Sequence, residues 1–123
     1  MQGVDVRKSA ATIEAGECDV GWCCPPLLTA PLSEVEADQL AAGFKALADP
    51  VRLRLLSLIA NSADGTACSC DLEGPVGKTQ STVSHHLSLL ADAGLITKEK
   101  FGRWVNCTIV PERVAALRDA LQG

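Results

Sequence analysis

The chain has 123 residues, is 47% hydrophobic and 3% aromatic, and carries a formal net charge of −4. A chain of that length is one domain with core enough to fold without disulfide staples. The low aromatic content excludes base stacking as a way to hold nucleic acid, and the acidic balance counts against non-specific DNA binding.

Residues 1–32 are punctuated by Gly3, Gly16, Gly21, Pro25, Pro26 and Pro31. They are expected to form a flexible arm bearing Cys18, Cys23 and Cys24, ahead of one folded domain over 33–123. Asp5, Arg7, Lys8 and Glu14 interrupt any apolar run at the start, so no secretion signal is expected. No stretch is long and apolar enough to cross a membrane. The expected place is therefore the cytoplasm, where six cysteines stay reduced and point to metal or redox chemistry.

Ser33 with Glu36 has the spacing of a capping box and opens a helix to about Ala48, with Val35, Leu40, Phe44 and Leu47 as apolar anchors. Asp49-Pro50 starts a second helix, to about Asn61, with Val51, Leu55, Leu58 and Ile59 as its stripe. After a loop at 61–65 comes a short helix around 69–74, ended by Gly74-Pro75 or Gly77. Thr79 caps a longer helix, 80–92, which Gly94 ends. Strands at 95–100 and 103–109 flank a turn at Phe101-Gly102. Pro111 opens a last helix, with Val114, Leu117 and Leu121 on one face. The fold class is mainly α with a β-hairpin wing.

Helix 80–92 carries two faces. Val83, Leu87 and Leu90 make a core face. Ser81, Ser84, His85 and Ser88 make a polar face of the kind that meets base edges in a major groove. Gln80 and Thr82, with the capping Thr79, lie in the first turn and suit a phosphate. Lys98, Lys100 and Arg103 near the hairpin tip suit the DNA backbone or minor groove. A solvated polar face with a charged hairpin is the plain alternative. His85 and His86 point about a quarter-turn or more apart and do not make a metal pair.

Cys68 and Cys70 fall at the start of the short helix, where unpaired amides favour thiolate over thiol. Soft thiolates select arsenite, antimonite, Cd(II), Pb(II), Cu(I) and Zn(II). Two are too few, so a third donor is sought among the arm cysteines. Cys107 shares a strand face with Val105 and Ile109 and is expected in the core.

Three stretches, taken in order, resemble the ArsR/SmtB repressors: Phe44 to Leu56, Ser81-Thr82-Val83-Ser84-His85-His86-Leu87, and Ala93-Gly94-Leu95-Ile96. The resemblance covers about 33–121. It implies a winged helix-turn-helix homodimer, with the first and last helices at the interface, which binds a palindromic double-stranded operator and releases it with the inducer. Thr79-Gln80-Ser81 stands where the family usually has Ser-Gln-Pro and keeps a capping hydroxyl. Cys68-Ser69-Cys70-Asp71-Leu72 is similar to the box of arsenite- and cadmium/lead-sensing members. Where the arsenite version has a further cysteine, this chain has Glu73. Cys23-Cys24-Pro25 is similar to the arm thiols of some arsenite sensors. The implied ligands are Cys68 and Cys70 with Cys24, then Cys23. The family's other metal site, on the last helix, needs a His that 111–123 lacks.

The expected function is a repressor released by As(III) or Sb(III) on three thiolates. The alternatives are a repressor answering Cd(II), Pb(II) or Zn(II) through four thiolates, and a redox or persulfide switch on the same fold. An enzyme is not expected: there is no Cys-x-x-Cys near a βαβ pattern and no acid–base set.

Overall fold

The computed structural model describes residues 27–122. The arm cysteines Cys18, Cys23 and Cys24, and the readings that fall on 1–26, lie outside the described residues. Eight elements follow in order: α1 (Glu34–Leu47), α2 (Pro50–Ala60), β1 (Thr66–Cys68), α3 (Glu73–Val76), α4 (Gln80–Asp92), β2 (Ile96–Phe101), β3 (Trp104–Ile109) and α5 (Pro111–Ala120). Short 3₁₀ turns occupy Ala63–Gly65 and Ser69–Asp71. The chain divides into two compact units, one of residues 41–111 and one that includes 27–40 and 112–122.

The helix starts follow from local chemistry. Ser33 and Glu36 close the capping box reciprocally: the Ser33 amide donates to Glu36 Oε1 at 2.8 Å and the Glu36 amide to Ser33 Oγ at 3.1 Å. Asp49 Oδ1 accepts from the Val51 and Arg52 amides at 2.8 and 3.2 Å, with Pro50 at the first helical position. Those bonds, the Arg52 amide first, hold the Asp49 carboxyl below its ordinary range. Thr79 Oγ1 accepts from the Thr82 amide at 3.3 Å and starts α4.

The core of the 41–111 unit gathers Leu55, Leu56 and Ile59 of α2, Leu72 just before α3 and Val76 within it, Val83, Leu87 and Leu90 of α4, and Leu95, Ile96 and Cys107. Each fully buried Leu or Ile contributes about 1.5–3 kcal/mol relative to exposure. This layer sets α2 against β3 and α4, and α4 against β2. In the other unit Leu40, Leu117 and Ala120 are buried, and the Leu27 amide donates to the Ala120 carbonyl at 2.9 Å. Arg113 is buried too, its Nη2 donating to the Gln39 carbonyl at 2.8 Å.

Three local expectations change. Val35, read as an apolar anchor, and Leu121, read on one face of the last helix, are 64% and 56% exposed among the described residues. The hairpin loop is Gly102-Arg103, with Phe101 paired to Trp104. Gly102 has the positive φ that a two-residue loop asks of its first position. And the wing is a three-stranded sheet in the order β1-β3-β2, not a lone hairpin. Thr66, Ala67 and Cys68 pair with Thr108, Cys107 and Asn106. Gly65 delivers the chain into β1 at φ +67°, and a Cβ there would stand 2.7 Å from Ile109 Cγ2.

Candidate nucleic-acid interface and thiol site

The polar face of α4 survives intact in three dimensions. Val83, Leu87 and Leu90 turn inward while Gln80, Ser81, Ser84 and His85 are exposed. Thr82 and Ser88 are half-buried. Thr79 is taken up in capping, its hydroxyl also donating to Thr82 Oγ1 at 3.1 Å. Lys98 lies over the helix and its Nζ donates to Ser88 Oγ at 2.8 Å. The wing is thereby tied to the C-terminal half of α4. Lys100 and Arg103 are exposed, and the Arg103 guanidinium stands 5.6 Å from the centroid of the Trp104 ring.

A second clamp, unforeseen in the sequence, fixes the other flank of α4. Arg52 donates from Nε to the Ala46 carbonyl at 2.6 Å and from Nη2 to the Lys45 carbonyl at 3.3 Å. Its Nη1 meets His86 Nδ1 at 3.1 Å. A guanidinium only donates, so Nδ1 is the acceptor in this contact. His86 is thus a packing link between α2 and α4, and His85 alone faces outward. The one signal in the sequence was an Arg two residues past a helix start.

Cys68 and Cys70 are brought together at the start of the short helical stretch, as expected, with Cys68 capping a 3₁₀ turn. Cys68 ends β1, opposite Asn106, and the chain then curls through the 3₁₀ turn Ser69–Asp71. The Cys70 amide donates to Cys68 Sγ at 3.4 Å. Cys70 is exposed and Cys68 half-buried. The hydrogen bond with the Cys68 side chain, aided by partial desolvation and the Asp71 carboxylate, pushes the Cys70 thiol up to about 11. This corrects the expectation of a dipole-favoured thiolate at Cys70. The turn is too short to carry a useful dipole, and its free amide goes to Cys68. Cys107 is fully buried, its thiol raised by that burial, as a core residue should be.

Among the described residues no three His, Cys, Asp or Glu side chains gather closely enough to hold an ion. The pair therefore fits a soft ion only as part of a larger set. No helix among the described residues is long and apolar enough to cross a membrane.

A capped, polar-faced second helix clamped between a preceding helix and a basic β-wing defines a winged helix-turn-helix DNA-binding protein. Residues 49–98 match the model of the bacterial regulatory proteins of the arsR family. The chain is 44% identical over 85 residues to a putative arsenical resistance operon repressor, ArsR2, of Halobacterium salinarum, spanning 67% of this chain and 66% of that protein. It is 43% identical over 74 residues to the arsenical resistance operon repressor of Bacillus subtilis, spanning 60% and 69%. Among solved structures it is similar to the AntR antimony-specific transcriptional repressor, with TM-score 0.61, 32% identity and coverage of 72% and 79%. It is also similar to a homodimeric winged helix-turn-helix DNA-binding domain of Mycobacterium bovis, with TM-score 0.58, 31% identity and coverage of 72% and 82%. The chain belongs to the arsR family of bacterial regulatory proteins and is a DNA-binding transcriptional repressor of that family, not an enzyme.

Proposed function

We propose that the chain works in the cytoplasm as a homodimer that holds a palindromic operator and lets go when As(III) or Sb(III) binds thiolates of Cys68, Cys70 and Cys24, with Cys23 next in line. The observation that carries this reading is the Cys68–Cys70 turn. Two soft donors share one hydrogen-bonded curl at the edge of the wing sheet. No carboxylate or imidazole completes them among the described residues. That donor set favours a thiophilic ion and calls for a third thiol.

The exchange balances without a redox step. Neutral As(OH)₃ takes three thiols; each As–O bond is replaced by As–S, and each hydroxide leaves as water with the thiol proton. Cd(II), Pb(II) or Zn(II) must displace the thiol protons instead, so their affinity depends on pH. The names of the arsenical and antimony relatives support the same choice.

Operator contact falls to Gln80, Ser81, Thr82, Ser84 and His85 on α4, with Thr79 and Ser88 beside them, and to Lys98, Lys100 and Arg103 on the wing. Leu28, Val35 and Leu121, all exposed, support a dimer interface on α1 and α5, as does the homodimeric neighbour. Two-fold symmetry then sets the reading helices one DNA turn apart. The test is arsenite-driven release of operator from reduced protein. Loss of release in Cys68→Ser and Cys70→Ser is expected. Release by Cd(II) alone would move the site to four thiolates, and release by oxidant alone would make it a redox switch.

A further inference from the structure

The thiol turn, α4 and the wing meet around one small cavity of about 80 Å³. Its apolar lining residues are Val83, Leu87 and Val105. Its polar lining residues are Ser69, Gln80, Ser84, Lys98 and Arg103, with Glu73 as the single acid. The space holds several water-sized groups, each needing about 10–15 Å³. Two cations and three neutral donors against one carboxylate favour a small monoanion.

We propose that this cavity seats one backbone phosphate of the operator, and that Ser69 is the positioning residue through which a thiol-bound effector disturbs that seat. The proposal rests on the effector reading above. Gln80 and Ser84 lie one turn apart on the reading helix, while Lys98 and Arg103 belong to the wing. An anion held by all four fixes helix and wing against the same strand of DNA, which is how phosphate contacts set register. Lys98 is tied to the same helix through Ser88.

Ser69 supplies the link. It is the residue between the two thiols and it lines the cavity. Its peptide is held by two weak ties, the Cys70 amide on Cys68 Sγ at 3.4 Å and the Leu72 amide on the Ser69 carbonyl at 3.2 Å. An ion bridging Cys68 and Cys70 takes the sulfur away from the first tie and turns the peptide between them. The cavity then loses a donor and its shape.

The experiment is the salt dependence of operator affinity, apo and arsenite-loaded, for wild type, Arg103→Ala and Ser69→Ala, with folding checked by circular dichroism. Log affinity against log salt changes slope by about 0.9 for each phosphate released. Loading wild type is expected to flatten the slope by about that much per seat. Arg103→Ala is expected to show the flattened slope already as apo protein and no further flattening when loaded. Ser69→Ala is expected to bind arsenite but to keep more of its DNA affinity when loaded, the ratio of apo to loaded affinity falling about tenfold. Affinity lost with the wild-type slope unchanged overturns the seat coupling and leaves the effector reading standing. No loss of affinity at any salt overturns both. An apo Arg103→Ala slope equal to wild type overturns the phosphate seat itself.

Discussion

The reading helix and the thiol turn lie side by side and are built to different standards. Helix α4 is capped at Thr79, buried along Val83, Leu87 and Leu90, and clamped by Arg52 through His86 and by Lys98 through Ser88. The thiol turn has a three-residue edge strand, a 3₁₀ curl and sulfur hydrogen bonds at 3.4 and 3.9 Å. In the function proposed above, a rigid reader beside a weakly held turn would let a bound ion reshape the turn cheaply and be felt at once by the reader. Moving an operator equilibrium takes only a few kcal/mol of differential binding.

The contrast predicts a graded set of responses. Leu87→Ala opens a cavity under α4 and is expected to cost about 2–5 kcal/mol in denaturant unfolding. Gly65→Ala follows, at about 1–3 kcal/mol, since its φ is left-handed and its new methyl meets Ile109. Thr79→Ala removes the α4 cap and is expected to cost about 0.5–2 kcal/mol. Cys70→Ser, in the loose region, is expected to shift stability by no more than about 0.5 kcal/mol while abolishing arsenite release. A Cys70→Ser protein as destabilised as Leu87→Ala would erase the distinction between reader and sensor.

Acid sharpens the comparison further. The Asp49 carboxyl titrates below its ordinary value in the folded chain. Its contribution is therefore present above the unfolded value and is lost as pH falls through the folded one. Thermal melts should show Asp49→Asn less sensitive than wild type to acidification below about pH 4. The ions separate by pH as well. Arsenous acid exchanges its hydroxides for thiols with no net proton. Cd(II) affinity should rise about tenfold per pH unit for each thiol proton displaced, read by calorimetry in two buffers.

Much of this was legible in the residues. Ser33/Glu36, Asp49-Pro50 and Thr79 announced their helices because capping is local chemistry. The core face of α4 followed from its period. Strand β1 was hidden, since Thr66-Ala67-Cys68 is too short to show alternation and exists only by pairing with β3, some forty residues on. The thiols stand at the helix start the sequence suggested, but Cys68 also ends a strand that the sequence did not show. Arg52 and Arg113 were hidden for a related reason. A charge in a sequence looks solvated, and only the fold reveals that carbonyls of Ala46, Lys45 and Gln39 receive them. Val35 and Leu121 were placed on apolar faces, and periodicity marks such a face without saying what it meets.

The most direct test of the account is fluorescence anisotropy of operator DNA with reduced protein, titrated with arsenite, for wild type and Cys70→Ser in parallel. The account predicts release of wild type at about one ion per subunit, as a single three-thiolate site requires, and no release of Cys70→Ser at the same concentrations. Wild type that stays bound, or a Cys70→Ser protein released as readily as wild type, would contradict it.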